Sequence, residues 1–277
     1  MKVIVTGAAG KLGTYVCRAL MEAGHWVKAT DKIYRPETSI TLELAALLDR
    51  DACCSLVAAT DAVVHLANYS DIGNIDSTIL FNENTAMNMN VFQAAQHAGA
   101  RYVIFASSIQ VLGGHNTSAD RFFAPALPYL PLDGDAPANP RNAYSLSKLV
   151  GEIMLRYFTL PHMNCVAIRY PWLIDPSEHN FTKRKRRRQG AENSDGVFSY
   201  LSFSDAANLV VAVLGASLPG FRIYMPAHPK NRLRKAAADV IKEHYPEVRL
   251  RCPLQEIDAL IDISRIQSEI GWYPTGS

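Results

Sequence analysis

Lys2-Val-Ile-Val-Thr-Gly-Ala-Ala-Gly-Lys-Leu-Gly13 decides the reading of this chain. The β-branched run Val3 to Thr6 predicts a strand, and the pattern from Lys11 to Ala23, closed by Gly24, predicts a helix. Between them lie Gly7, Gly10 and Gly13, spaced GxxGxxG. Backbone amides at a helix N-terminus are unpaired donors carrying partial positive charge, so they suit a pyrophosphate. Glycine lets the backbone approach the phosphates without a Cβ in the way. The spacing departs from the common GxGxxG. Its place between an opening strand and a helix still predicts a dinucleotide loop made of Gly7, Ala9, Gly10, Lys11, Leu12 and Gly13. Asp31 follows at the end of the next predicted strand, Trp26 to Thr30, 24 residues after Gly7. A carboxylate there accepts from ribose hydroxyls and repels a 2′-phosphate, which favours NAD over NADP.

Working outward, strand-like and helical patterns alternate, which predicts an α/β protein with a doubly wound parallel sheet. Strands are expected at 61–67, 102–107 and 165–170, with a short one somewhere within 40–48. Helices are expected at about 79–97 and 143–158. The stretch 113–141 holds five of the fifteen prolines and reads as an ordered loop. After residue 170 the pattern becomes less regular, with helices near 204–214 and 233–244. Residues 1–170 are therefore expected to form the nucleotide-binding unit. Residues 171–277 are expected to form a small α/β substrate lobe over the carboxyl edge of the sheet, with some segments returning to the core.

Of the 277 residues 48% are hydrophobic, enough for a sizeable core and too many for a disordered chain. No apolar run reaches the ~18 residues of a membrane helix, and no secretory leader is expected from the start of the chain. The five cysteines are odd in number and lack a CxxC pair, which fits a reducing, cytoplasmic setting and neither a disulfide framework nor a zinc cluster. His65 reads as a core histidine, Cys53-Cys54 as core, and His115 and His162 have no ligand-spaced partners, so no metal is expected. The net charge of +2 hides an asymmetry. Residues 183–188 are six consecutive cations, and without them 22 basic residues face 26 acidic ones, a body of −4. Such a run ordinarily forms a solvated loop. It also suits an electropositive rim that steers an anionic small-molecule substrate, while no recognition fold or aromatic platform suggests nucleic acid.

Tyr144-Ser-Leu-Ser-Lys148 places Tyr144 and Lys148 four apart, on one face of a helix. Such pairs are common on solvated helices. This one follows a glycine loop, a ribose-type Asp31 and a serine, Ser108, at a strand end. A phenol ordinarily titrates near pH ~10, and an ammonium one turn away, with a nicotinamide cation, favours the phenolate. Tyr144 would then exchange the proton of a substrate hydroxyl while the cofactor exchanges the hydride.

Taken together these residues resemble the extended short-chain dehydrogenases/reductases, in the NAD-dependent epimerase/dehydratase family. Thr6 to Gly13, Asp31, Asp61 to Ala67, Asn84, Ser107 to Gly113 and Tyr144 to Lys148 carry the likeness. Phe203 to Asp205 and Ile261 to Trp272 extend it. The resemblance implies a Rossmann-type sheet and an NAD cofactor, with Ser108, Tyr144 and Lys148 as catalytic residues. It implies that Lys148 also holds the nicotinamide ribose, that Leu47, Leu66, Ala67 and Ser107 pass along the cofactor, and that Asn84 sits behind the catalytic residues. Arg169, Tyr170 and Pro171 would follow the sixth strand where the family closes over the nicotinamide. A homodimer built on the 79–97 and 143–158 helices is implied as well. The chain departs from the pattern at Ala46-Leu47, where the family often has an acidic–apolar pair, and at Leu112, where it has a tyrosine. Ile109 and Gln110 replace the acidic pair of the dehydratases. Only 35 residues separate the Arg169 and Asp205 segments, with no nucleotide clamp, which favours a small substrate. The expected activity is NAD-dependent hydride transfer at a secondary alcohol of a sugar or sugar acid. The alternatives are a sugar epimerase and a non-catalytic NAD(H)-binding sensor.

Overall fold

Successive strand residues point to opposite faces of a sheet, and in this chain both faces are apolar. In β1 (Lys2–Thr6) Val3 and Val5 enter one core cluster while Ile4 enters another. In the computed structural model, which describes residues 1–35, 40–70, 75–113, 127–176 and 195–276, β2 (Trp26–Asp31) and β3 (Leu42–Leu44) turn Val27, Ala29 and Leu42 to the first cluster only, and the two-sided alternation runs through β4 (Ala62–His65), β5 (Tyr102–Ser108) and β6 (Asn164–Tyr170). A short pair, β7 (Trp172–Ile174) and β8 (Tyr200–Ser202), stands apart, and β9 (Gly220–Tyr224) returns to the main sheet. The seven strands lie in the order β3-β2-β1-β4-β5-β6-β9 and every neighbouring pair is parallel. The expected doubly wound parallel sheet is therefore present.

Helices cover both faces. On one side α1 (Lys11–Glu22) buries Val16, Cys17 and Leu20. On the other lie α2 (Arg50–Val57), α3 (Ser77–His97) and α4 (Ala143–Phe158). The first side is completed by α5 (Phe203–Gly215). Burying each of the fully enclosed Val, Leu, Ile or Phe side chains contributes about 1.5–3 kcal/mol. A third core joins Val111, Leu130 and Leu132 to Val240 and Ile241 of α6 (Ala237–His244). The last helix, α7 (Ser264–Ile270), ends at Gly271 with φ +66°, and Trp272 tucks into the first core.

Several boundaries differ from the sequence pattern for local reasons. Segment 50–57 carries no assigned element, yet it forms a short helix because the Asp49 carboxylate accepts from the amides of Asp51 and Ala52. The expected 61–67 strand stops at His65. Ala67 N leaves the ladder and donates to Thr6 Oγ1 at 3.3 Å. The helix expected from Leu233 starts at Ala237. Arg234 has φ +57°, and Asn231 Nδ2 donates to Lys235 O at 2.8 Å, which holds the preceding residues in a turn. The cationic run 183–188 and His115 lie outside the described residues.

Candidate active site

β1, β4, β5 and β6 run parallel, so their carboxyl ends lie together at one edge of the sheet. At β1 the chain turns at Gly7, whose φ is +71°. A Cβ there would lie 2.8 Å from Ala67 N, so only glycine lets this turn pass the β4 loop. Gly10 then caps α1 with no side-chain hydrogen bond, whereas Asp49, Asp76, Asn142 and Ser202 cap four other helices with theirs. Gly10 therefore offers no side-chain acceptor to the first-turn amides of α1. Asp31 sits at the end of β2. Its Oδ2 accepts from Ala9 N at 3.0 Å and its Oδ1 from Lys32 N at 2.7 Å, so it also braces the loop. A helix N-terminus without a side-chain cap, a cradle a Cβ would fill and an adjacent carboxylate fit a dinucleotide.

Tyr144, Lys148 and Glu152 project from one face of α4. An Asn142–Ser145 capping box fixes where this helix starts. Gly151 fixes how closely it approaches the sheet, because a Cβ there would lie 2.5 Å from Phe105 Cζ and 2.8 Å from Asn88 Nδ2. Lys148 is 4% exposed. Its Nζ donates to Asn68 Oδ1 at 2.8 Å and to Ala106 O at 2.7 Å, and lies 5.5 Å from the Tyr144 ring centre. An ammonium has three donors, so one remains for a ribose hydroxyl. Burial pulls its pKa down to about 7. Ser108, at the end of β5, accepts from Gln110 N at 3.2 Å, which leaves its own proton available to a substrate oxygen.

Behind these groups lies a buried polar layer. By strand parity Thr6, His65, Ser107 and Arg169 all face α3 and α4. Ser107 Oγ donates to Glu152 Oε1 at 2.6 Å, and Arg169 holds both carboxylate oxygens of Glu152 at 2.9 Å while Nη1 donates to Ala136 O at 2.7 Å. Asn84 is fully buried. It accepts from Tyr69 N at 2.7 Å and donates to Ser147 Oγ at 3.1 Å, tying the β4 loop to α4. His65 bonds Thr6 Oγ1 through Nδ1 at 2.7 Å and Asn88 Oδ1 through Nε2 at 3.0 Å. It is the core histidine that its strand position suggested, and burial followed by the Lys148 charge pushes its pKa down to about 3.

The expected residues therefore divide. Gly7, Ala9, Gly10, Lys11, Leu12, Gly13, Asp31, Leu66, Ala67, Ser108, Tyr144 and Lys148 lie on the loops and helix ends at this edge, and Asn84 lies behind them. Other side chains are occupied elsewhere. Leu47 packs in the α2–α3 core, and its carbonyl accepts from Asn90 Nδ2. Ser107 is committed to Glu152. Tyr170 is buried between the sheet and α5, its hydroxyl 3.5 Å from Ala206 O, and burial raises its pKa. Arg169 and Tyr170 belong to β6 and do not follow it. Pro171 is buried just beyond the strand. Cys53 is a core residue with Cys54 packed against the same cluster. Sequence reading missed Asn68, Asn88 and the Glu152–Arg169 pair. For Asn88 and Glu152 a signal existed, each lying four residues past a residue already singled out, Asn84 and Lys148.

A parallel sheet with a glycine loop after β1 and a Tyr–Lys pair on one helix face is the arrangement that the resemblance to short-chain dehydrogenases/reductases implied. The model of the NAD dependent epimerase/dehydratase family matches residues 3–214. The chain belongs to that family. It is 26% identical over 218 residues to a uronate dehydrogenase of Pseudomonas syringae pv. tomato, covering 77% of this chain and 69% of that one. It is 27% identical over 172 residues to a UDP-glucose 4-epimerase of Bacillus subtilis, covering 56% of this chain and 47% of that one, so it spans about half the length of that epimerase. Among solved structures, a UDP-glucose 4-epimerase from Brucella ovis in complex with NAD superposes with a TM-score of 0.72 at 18% identity, covering 100% of this chain and 94% of that one. A uronate dehydrogenase from Agrobacterium tumefaciens, a Y136A mutant complexed with NAD, gives 0.67 at 21%, covering 99% and 84%. These likenesses show the fold. Among the described residues no helix is long and apolar enough to cross a membrane.

Glu152→Ala strands the Arg169 guanidinium, which is 4% exposed at its side chain. The expected destabilisation is about 3–5 kcal/mol, read by urea denaturation. Loss below about 1 kcal/mol, within the range of an exposed pair, would mean that the cluster does not fix α4.

Proposed function

We propose that the protein is an NAD-dependent oxidoreductase that transfers hydride at a secondary alcohol of a sugar or sugar acid. The observation that carries this reading is Lys148, buried beside the Tyr144 ring with two fixed acceptors and one donor to spare. The first-turn amides of α1 hold a pyrophosphate, and Asp31 takes a ribose hydroxyl while repelling a 2′-phosphate, which supports NAD over NADP. Bound NAD supplies the hydride acceptor. Ser108 donates to the substrate oxygen, Tyr144 accepts the hydroxyl proton, and the Lys148 charge favours the phenolate that accepts it. Leu66, Ala67 and the backbone of Ser107, Tyr170 and Pro171 line the way along the cofactor, and Asn84 holds the β4 loop against α4.

A sugar acid is favoured by the six-cation run 183–188, by the short substrate segment and by the likeness to an enzyme named uronate dehydrogenase. The matches to UDP-glucose 4-epimerases support a second reading, in which the hydride returns to the other face of a keto intermediate. We place the substrate lobe in residues 171–277, with β9 and α5 given back to the sheet. The odd cysteine count, with Cys17, Cys53 and Cys165 buried, supports a reducing compartment such as the cytoplasm. The exposed apolar residues Ile79, Met89, Leu146, Ile153 and Tyr157 of α3 and α4 support a homodimer through these helices.

Incubation of sugars, sugar acids and nucleotide sugars with NAD⁺ tests the activity, read by NADH absorbance and product NMR. NADH should accumulate with a sugar acid. Epimerised product without NADH would select the second reading, and no turnover across the panel would overturn both. Tyr144→Phe should lower kcat by about 10²–10⁴-fold and leave NAD binding intact; an active variant would remove Tyr144 from the mechanism. Sedimentation velocity should show a dimer that Ile153→Glu converts to monomer. A monomeric wild type would contradict the helix interface.

A further inference from the structure

We propose that Asn68 is a positioning residue that keeps the positive charge of the Tyr144–Lys148 pair on Lys148, so that the proton the pair sheds comes from the phenol. This rests on the reading of Tyr144 and Lys148 as the acid/base pair. An ammonium beside a phenolate and an amine beside a phenol hold the same number of protons. Which of them forms depends on what faces each group.

Two oxygens face Lys148 Nζ, Asn68 Oδ1 at 2.8 Å and Ala106 O at 2.7 Å. Acceptors favour the charged form. The Phe105 ring, with its centre 5.0 Å away, adds a π face that also favours a cation. Against them stands burial, which pulls the lysine down to about 7. Burial thus opposes the charge on the lysine, and each fixed acceptor that is lost weakens it further.

Asn68 cannot turn its amide away. Its Nδ2 donates to Ala67 O at 2.7 Å and to Asn88 Oδ1 at 3.1 Å, which leaves Oδ1 toward the lysine. Asn88 Oδ1 also receives His65 Nε2 at 3.0 Å. The opposite amide rotamer of Asn88 would set its NH₂ against the Asn68 Nδ2 donor. His65 is then the Nε2–H tautomer, and its Nδ1 takes the Thr6 hydroxyl proton while Thr6 Oγ1 takes Ala67 N. Two hydrogen-bonded runs therefore converge on Asn88 Oδ1, one from the base of the glycine loop through Thr6 and His65, the other from Lys148 through Asn68. The titratable groups facing Lys148 are Tyr144 on its own helix and His65 on β4. His65 is held neutral, and Asn84 and Asn88 of α3 carry no charge.

The test reads the phenolate directly and needs neither NAD nor turnover. The ultraviolet phenolate band is titrated in wild type and in Tyr144→Phe, and the difference isolates Tyr144 among twelve tyrosines. The same difference is taken in N68A with and without Tyr144→Phe. Losing a hydrogen bond to the ammonium should lower Lys148 by about one to two pH units and thereby raise the Tyr144 midpoint. An unchanged midpoint in a folded N68A overturns the proposal. If N68A does not fold, N68S, whose hydroxyl is too short to reach Nζ, is read in the same way. An enzyme that turns nothing over would refute the functional reading and leave this titration to decide the role of Asn68 independently.

Discussion

Everything at this site depends on a layer of polar side chains buried between the sheet and two helices. Removing Thr6, His65, Asn84, Asn88, Ser107, Lys148, Glu152 and Arg169 from water is unfavourable unless each finds a partner. The partners come from four strands, two helices, the loop after β4 and the Ala136 segment, and Asn88 Nδ2 is the one donor atom of this layer left without a hydrogen bond among the described residues. Satisfying them therefore fixes those elements relative to one another more tightly than apolar packing alone, which tolerates small shifts. The Glu152–Arg169 pair illustrates the rule. Both carboxylate oxygens are held by the guanidinium, Ser107 satisfies Oε1 again, and Ala136 O takes a remaining guanidinium proton.

The chemistry follows from where that layer ends. Lys148 is its last member before Tyr144, which stands one turn closer to solvent on the same helix face. Gly151 brings α4 against Phe105 and Asn88, so the lysine reaches the carbonyl of Ala106 in β5. The result is a buried amine whose charged form two fixed oxygens favour and burial opposes. That arrangement can lower the pKa of a neighbouring phenol without rearranging when the reaction begins. The glycine loop belongs to the same construction, because Ala67 N bonds Thr6 Oγ1 and passes close over Gly7.

The sheet, the glycine loop, Asp31 and the Tyr144–Lys148 spacing are legible in sequence because each is local. Val3 to Thr6 lies beside its turn, and residues four apart share a helix face. Helix α2 is not legible, since only Cys53, Leu56 and Val57 are buried in it and eight residues give little periodicity. Leu47 and Tyr170 illustrate another limit. Both hold positions that the family resemblance sets along the cofactor, although Ala46-Leu47 departs from its pattern, and tertiary packing directs both side chains into the cores. Asn68 is the clearest case. It sits in a loop after β4, and its value comes from Lys148, 80 residues away, and Asn88, 20 residues away. No local pattern records such a partnership.

The central claim is that this buried layer presents a hydride-transferring site, and isotope transfer tests it most directly. A sugar acid deuterated at the carbinol carbon is incubated with the protein and NAD⁺, and the nicotinamide is recovered and analysed by NMR. The account predicts deuterium at the nicotinamide C4 position. Deuterium released to water, with the nicotinamide unlabelled as the substrate is consumed, would contradict it.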